Sequence, residues 1–459
     1  MSRKTTVSRR EFLSSAGVIG ATGALSAGGL FTACKGGSSN ETTYTPLRPA
    51  DEVYIPDLPD KAMDGKPIRV GLVGCGGRGT GAAFNVLEAA DGVSIVACSD
   101  FLQDKVDGCR KRLKEEKNVE IPDNRCFVGF DSFKKVCELP DVDVVFIASP
   151  GLFHPEHLKY AIEKGKHAFC EKPACVDATG YRTYMSAVKQ AQANNLCIVT
   201  GTHLHHNRAY VESYKKVQEG YIGRIISGNV YCAQGHSHYI NRRPEWSELE
   251  YMIRDHFSWN WLSGDILVDQ LVHYIDVFTW FSHTKPVWVF GTGARIRKYT
   301  GNIYDCFSID FEYEGGRHVH GIERQINNCN NRSGVIIHGS KGTWNGLDGR
   351  SVNIVDLDGN VVWEYDAETA KKQFKQHNPY TLEHVNLVNH LRSGKVINFA
   401  ETTAISTMAC IMALESAYTG KFVTWDQMTQ SNMNCMPPEL TPDKVKIENY
   451  KEISLPGTV

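Results

Sequence analysis

The stretch RVGLVGCGGRG, Arg69–Gly79, constrains this chain more than any other. Ile68 to Val73 is a short apolar run of strand type, and Gly74, Gly76 and Gly79 follow at G-x-G-x-x-G spacing before an Ala- and Leu-rich helix. The first glycine permits a tight turn, the second lets a pyrophosphate approach the backbone, and the third packs helix on strand. The helix N-terminus then faces the phosphates. Glycines cluster in many turns, so the pattern gains its weight from the strand after the helix. That second strand, VSIVACSD, ends in Asp100, twenty-one residues after Gly79, the separation expected of an acid that accepts hydrogen bonds from an adenosine ribose. Phe101 and Leu102 come next, with no Arg or Lys there to receive a 2′-phosphate, so NAD is expected rather than NADP.

Two further strand ends point the same way: DVDVVFIASP, closing at Pro150, and GKHAFCEKP, closing at Pro173. In a doubly wound sheet the ligand crevice lies beyond the carboxyl ends of the strands. That places Pro150, His154, Glu171, Lys172 and Pro173 beside the cofactor, together with the loop Gly74, Cys75, Gly76, Gly77, Arg78 and Gly79. His157, one helical turn past His154, reads as a surface residue. A lysine at the closed end of such a crevice is desolvated and suited to proton traffic.

With 459 residues the chain has room for two domains and terminal extensions. We expect a leader over 1–34, a flexible tether over 35–65, a dinucleotide-binding domain over 66–200, a second domain over 201–425 and a C-terminal tail over 426–459. A net charge of −2, 42% hydrophobic and 22% charged residues exclude a disordered chain and a basic nucleic-acid binder, leaving a small molecule as the expected partner. In the leader, Arg9–Arg10 with Phe12, Leu13 and a Gly/Ala/Ser-rich run to Ala33 resembles a twin-arginine export signal. LFTAC resembles a lipoprotein cleavage box, making Cys34 a candidate lipid anchor, with ordinary cleavage and a free periplasmic protein as the alternative. The fourteen cysteines lack C-x-x-C pairs or regular spacing, so Cys75, Cys98 and Cys170 are read as small buried thiols.

Beyond residue 200 the pattern changes to longer alternating strands, such as IISGNVYCAQGHSH and CFSIDFEYEGGRHVHGIERQI, which predict one large, mostly antiparallel sheet. The fold class is therefore α/β: a Rossmann domain followed by an α+β domain with an open sheet. Between the strands, a helix starting near Ser263 or Asp265 carries Asp265, Asp269 and His273 at steps of four, on one face. A carboxylate can fix the tautomer of an imidazole one turn away, leaving the other ring nitrogen to exchange a proton with a hydroxyl. Periodicity alone equally gives a capping Asp and a buried histidine. His203, His205 and His206 in HLHH, with His236 and His238 in GHSH, have no evident carboxylate or cysteine to complete a metal set. No metal is expected; sugar contacts or packing remain open for them. Arg254, Trp259 and Trp261 suit carbohydrate, since indoles stack on C–H faces and guanidinium groups bind hydroxyls, with core tryptophans as the plainer alternative. Asn378 and Tyr380 lie near a loop entrance, ahead of helices read as packing elements.

The opening RVGLVGCGGRG, the ending GKHAFCEKP and the Asp269–x3–His273 spacing together resemble the Gfo/Idh/MocA oxidoreductases over roughly Pro67 to Asp426. The resemblance implies that Lys172 stands at the nicotinamide and holds the hydroxyl being oxidised, that the Lys172–Pro173 bond is often cis, and that Asp269 and His273 form a second catalytic pair. It also implies an open sheet with one face used for oligomer contact, hence a homo-oligomer. Leu271 departs from the glycine that many members carry there. The expected function is an exported NAD-dependent oxidation of a sugar or glycoside hydroxyl, best a glycoside 3-dehydrogenase, with a tightly bound, internally recycled cofactor. Alternatives are a redox-neutral glycosidase resembling the NAD-dependent α-N-acetylgalactosaminidases, a variant lacking the ordinary E-K-P, and a cofactor-bound sugar-binding lipoprotein without turnover.

Overall fold

The computed structural model describes residues 47, 49, 53–236, 239–297 and 300–457. Arg9, Arg10, Cys34 and His238 lie outside the described residues. Six strands, β1 (Ile68–Val73), β2 (Val93–Asp100), β3 (Cys126–Val128), β4 (Val144–Ile147), β5 (His167–Cys170) and β6 (Ile198–Thr200), form a sheet in the order β3-β2-β1-β4-β5-β6. All its pairs are parallel. Its inner strands are nearly continuous apolar runs because both faces are covered, as parallel sheets require. The strand order reverses between β1 and β4, and a crevice opens there beyond the strand ends.

A second sheet comprises β7 (Ile225–Gln234), β8 (Pro286–Ala294), β9 (Cys306–Tyr313), β10 (Arg317–Gln325), β11 (Arg332–Gly339), β12 (Gly342–Leu347), β13 (Asn353–Asp356), β14 (Val361–Glu364) and β15 (Val423–Thr424), in the order β14-β13-β12-β11-β7-β10-β9-β8-β15. Neighbours run antiparallel except β7 and β10, which are parallel. The helices that matter for the site are α1 (Gly77–Ala89), α2 (Gln103–Lys117), α3 (His154–Glu163), α4 (Glu248–Arg254), α5 (Val272–Ser282), α6 (Pro379–Ser393) and α7 (Ala400–Thr419). On β10 the buried set Val319, Gly321, Glu323 and Gln325 alternates with less buried His318, His320, Ile322 and Arg324, the signature of a sheet covered on one face. Among the described residues no helix is long and apolar enough to cross a membrane. The cysteines expected to be buried thiols, Cys75, Cys98 and Cys170, are free and buried.

The expected tether is fastened rather than flexible from Val53 onward. Leu58 and Ala62 are buried, Tyr54 Oη donates to Asn386 Oδ1 at 2.9 Å, and Arg208 Nη1 donates to the Leu58 carbonyl at 2.6 Å. A few apolar anchors suffice to fix a stretch whose Pro-rich composition reads as linker. The C-terminal segment is likewise tied down: Cys435 N donates to Asp177 Oδ2 at 2.7 Å, Ile447 N to Glu248 Oε2 at 2.6 Å, and Tyr450 stacks on Trp261.

The helix expected from Ser263 or Asp265 is broken. A single turn, Asn260–Ser263, ends at Gly264 (φ 71°) and Asp265 (φ 65°), two consecutive left-handed residues. A wider π-type turn, Leu267–Leu271, then leads into α5. Asp265 does not join Asp269 and His273. It is fully buried, its Oδ2 accepting from Tyr304 N at 2.8 Å and Tyr418 Oη at 2.5 Å, and burial raises its carboxyl to about 7. Asp265→Ala would strand two buried donors and keep an unfavourable positive φ. We expect a loss of about 2–4 kcal/mol in denaturant unfolding, with Asn recovering part of it.

Candidate active site

A cavity of about 580 Å³ opens at the reversal point of the first sheet, walled on the far side by the second domain. The glycine loop forms one wall. Gly74 has φ 97°, and a Cβ there would come within 2.6 Å of the Ala148 backbone. A Cβ on Gly79 would stand 1.9 Å from the Gly74 carbonyl oxygen, so close packing of helix on strand demands glycine. Gly76 and Gly77, by contrast, meet nothing within 4 Å, and no side chain caps α1. Open space over uncapped N–H groups is the cradle a pyrophosphate requires, so the residues present fit a dinucleotide. Gly74, Gly76, Gly77 and Arg78 line the cavity, whereas Cys75 and Gly79 support it from behind.

Asp100 stands at one end, as expected. Its Oδ2 accepts from Cys75 N at 2.7 Å and its Oδ1 from Leu102 N at 3.0 Å, so it also braces the loop, and burial raises its pKa. Two cations line this end of the cavity, Lys105, five residues beyond Asp100, and Arg254, which the fold brings from the second domain. Arg254, expected to touch substrate, is held instead by Asp104 (2.8 Å) and Glu250 (2.8 Å).

At the other end, Pro150, Glu171, Lys172 and Pro173 line the cavity, and the Lys172–Pro173 bond is cis. Lys172 Nζ donates to the Asp269 main-chain carbonyl and lies 3.3 Å from Asp269 Oδ1. The other carboxylate oxygen of Asp269 accepts from Gln270 Nε2. Asp269 thus holds Lys172, and not His273 as the i, i+4 spacing led us to expect. The wider turn re-aims Asp269, and a carboxylate near both a cation and a neutral ring pairs with the cation. His273 Nδ1 is buried with no hydrogen-bond partner among the described residues, and burial, reinforced by Lys172 and His203, holds the imidazole well below its usual pKa. Glu171 and Glu383 are both buried and raised, chiefly by burial, and share the neighbourhood of Arg78.

The remaining histidines divide sharply. His203 stays at the site, its ring 4.9 Å from His273 and stacked at 4.5 Å on Tyr380. His205 is buried away from the cavity, its Nε2 2.6 Å from Asp276 Oδ2, and His206 contacts Asn386 at 3.0 Å; their side chains pack the second domain instead of meeting substrate. His236, whose N–H donates to Asn327 Oδ1, does not line the cavity. Trp259 is buried in a separate apolar cluster with Trp261, the plainer of the two expectations. Among the described residues no group of three or more His, Cys, Asp or Glu could hold a metal.

His154 and His157 exchange their expected roles. His154 is buried with Nδ1 2.7 Å from the Pro173 carbonyl and Nε2 2.7 Å from the Ser149 carbonyl, so it ties the ends of β4 and β5 together behind the cavity. His157 is the one that lines it, buried among Phe133 and Phe153 with Nδ1 3.0 Å from Ser149 Oγ. The Gly151–Phe153 turn before α3 rotates the helix away from the orientation a bare i, i+3 step implies. Sequence patterning does not single out Tyr380 or Gln270 as site residues. The signal for Tyr380 is Asn378–Pro379, a cap and first-turn proline; Asn378 Oδ1 indeed accepts from Tyr380 N, placing that residue at a helix start.

Burial holds His157 and His203 down to about 3, below the 6.5 of an unfolded chain. Each depressed histidine contributes stability that is complete above pH 6.5 and is lost as pH falls toward 3, at up to about 1.4 kcal/mol per pH unit. His157→Asn should therefore unfold with a shallower pH dependence between 6.5 and 5 than the parent, measured by urea titration.

Two family models match the chain. The oxidoreductase family with NAD-binding Rossmann fold matches residues 68–202, and the GFO/IDH/MocA C-terminal domain matches residues 210–345, together more than half the chain. Glycosyl hydrolase family 109 protein 1 of Bacteroides fragilis is 33% identical over 150 residues, 31% of this chain and 31% of that protein. The match thus spans about a third of the length of such curated relatives. Inositol 2-dehydrogenase/D-chiro-inositol 3-dehydrogenase of Halalkalibacterium halodurans is 27% identical over 213 residues, 46% of this chain and 52% of that one. Among solved structures, scyllo-inositol dehydrogenase of Lactobacillus casei with bound NAD(H) and scyllo-inositol shares the fold at TM-score 0.58 and 21% identity, over 78% of this chain and 99% of that one. Aldose-aldose oxidoreductase of Caulobacter crescentus shares it at TM-score 0.60 and 17% identity, over 78% and 100%.

Proposed function

Because the chain belongs to the Gfo/Idh/MocA oxidoreductase family and its first domain binds NAD, we propose that it oxidises a secondary ring hydroxyl of a sugar or glycoside. One observation carries the reading: a lysine fixed by a carboxylate stands in the same cavity as a neutral, unpartnered imidazole. When bound, NAD supplies the acceptor for the hydride that leaves the carbinol carbon. Lys172, steadied by Asp269, donates to the substrate oxygen and stabilises the negative charge that grows there. His273, kept neutral by burial, takes the hydroxyl proton as the C–O bond becomes a carbonyl. Asp269 and Lys172 hold each other's charge throughout, so the transferred proton is the one new charge the site must accept.

The proposal extends to location and form: an exported, periplasmic enzyme carried by the Arg9–Arg10 leader, anchored through Cys34, associating with further copies through the open sheet, with one resident cofactor restored within each cycle. The third ring carbon is our preferred position, since a 3-keto sugar acidifies the neighbouring C–H and opens a route to cleavage by elimination. The family 109 glycosyl hydrolase relatives favour a second reading, in which the same oxidation opens a redox-neutral glycosidase cycle. The intact Glu171–Lys172–Pro173 favours the first reading, since the glycosidase variant is the one expected to lack it.

Lys172→Met and His273→Ala should each lower turnover by about 10²–10⁴ while NAD remains bound, and Asp269→Asn should do less. The His273 imidazole is the competent base while neutral, so kcat/KM should show no His273 limb near pH 6.5. Keto-sugar released only with an added acceptor supports the dehydrogenase. Glycoside cleavage with solvent deuterium beside the oxidised carbon and transient NADH absorbance supports the cycle. Cleavage with neither sinks both.

A further inference from the structure

Two arginines line the cleft, Arg78 tying the glycine loop to α6 and Arg254 bridging the domains near Asp100. Arg78 belongs to the glycine loop. Its guanidinium lies 4.6 Å over the Tyr380 ring of α6, its Nη2 donates to Asn85 Oδ1 at 3.1 Å, and its Nε lies 2.9 Å from Glu171 Oε1, a charge contact without hydrogen-bond alignment. Asn85 Nδ2 in turn donates to Thr381 Oγ1 at 3.1 Å, beside Tyr380. The loop that must cradle the pyrophosphate is thereby tied to α6, which packs on α1 and, through His384, on Phe146 and Phe169 of the first sheet. Gly201 makes room for this arrangement, since a Cβ there would stand 2.1 Å from Glu171 Oε2.

At the opposite end Arg254 joins the two domains. It closes α4 of the second domain and gives its two terminal nitrogens to both oxygens of Asp104 on α2, at 2.9 and 2.8 Å, while Nε donates to Glu250 Oε1 at 2.9 Å. Its guanidinium lies 4.6 Å over the Trp246 ring. The hydrogen bonds from Arg254 hold the Asp104 carboxyl below its ordinary pKa. Asp104 stands four residues beyond Asp100, and Arg254 lines the same cavity as Asp100 and Arg78.

We propose that Arg78 and Arg254 are latches that retain NAD between turnovers, so that the dinucleotide behaves as a resident group instead of a co-substrate. This rests on the reading that one cofactor is used and restored within each cycle. A dinucleotide leaves a cleft of this kind by parting its walls: Arg254 joins one wall to the other, and Arg78 ties the glycine loop over the cofactor to α6 and Glu171. The two differ in strength. Asp104 is 58% exposed, so the Arg254 pair is a surface ion pair, weak and sensitive to salt. Arg78 is backed by a ring and by a buried carboxylate, so it resists salt and holds more firmly.

The experiment is stopped-flow displacement of bound NADH by excess NAD, read by nucleotide fluorescence on the full chain. Arg78→Met and Tyr380→Leu should each speed release about tenfold, the scale of one lost charge-assisted contact. Together they should do little more than either alone, because they belong to one latch. Arg254→Met should speed release about threefold and multiply with either. Raising salt to about 0.5 M should speed release from the parent but not from Arg254→Met. Melting curves check folding, and if Arg78→Met does not fold, Tyr380→Leu and Arg254→Met decide. Release from the folded variants within twofold of the parent overturns the latches. A parent that releases NADH faster than it turns over sinks the resident-cofactor reading, while the ratios between variants and parent still decide the latches.

Discussion

Lys172 reaches from the end of β5 to Asp269 on the wide turn before α5, and this contact joins a cation of the first domain to a carboxylate of the second. Both side chains are almost enclosed, at 13% and 12% exposure. Taking two charges out of water is costly and is compensated only when they pair closely with further hydrogen bonds, which Gln270 and the Asp269 carbonyl provide. The wide turn carries Asp269 to this contact, and His273, on the helix that follows, lines the same cavity.

Burial around that pair shifts the titration of several neighbours. His273, His203 and His157 are enclosed and held below the ordinary histidine pKa, while burial pushes Glu171 and Glu383 above the ordinary carboxylate range beside Arg78. A low-dielectric pocket with few fixed charges magnifies each one that remains. It also favours a base that begins neutral and becomes charged beside an ion pair able to compensate it.

Asp265 does the corresponding work for the backbone. Its carboxylate takes the Tyr304 N–H and the Tyr418 hydroxyl and ends the preceding turn, so the chain re-enters helical geometry out of phase with the spacing written in the sequence. Three acids and imidazoles at steps of four therefore become one structural acid, one partner for Lys172 and one free imidazole. The periodicity is real, but the helix that would have used it is interrupted by two left-handed residues.

The sequence by itself determined what depends on short stretches of chain: the β1–glycine loop–α1 unit, Asp100 at the end of β2, the strand ends at Pro150 and Pro173, and the alternation that makes one face of the second sheet. Turn chemistry and strand periodicity act over a few residues, so they are written locally. Only the tertiary structure decided which of two nearby histidines, His154 or His157, faces the cavity, and that His205, His206 and Trp259 serve the core. Only the fold brought Arg254 to the Asp100 end and Tyr380 to the glycine loop. These depend on helix rotation and on contacts between residues hundreds of positions apart, and no local pattern encodes which of several similar side chains packing will enclose and which it will leave facing the ligand.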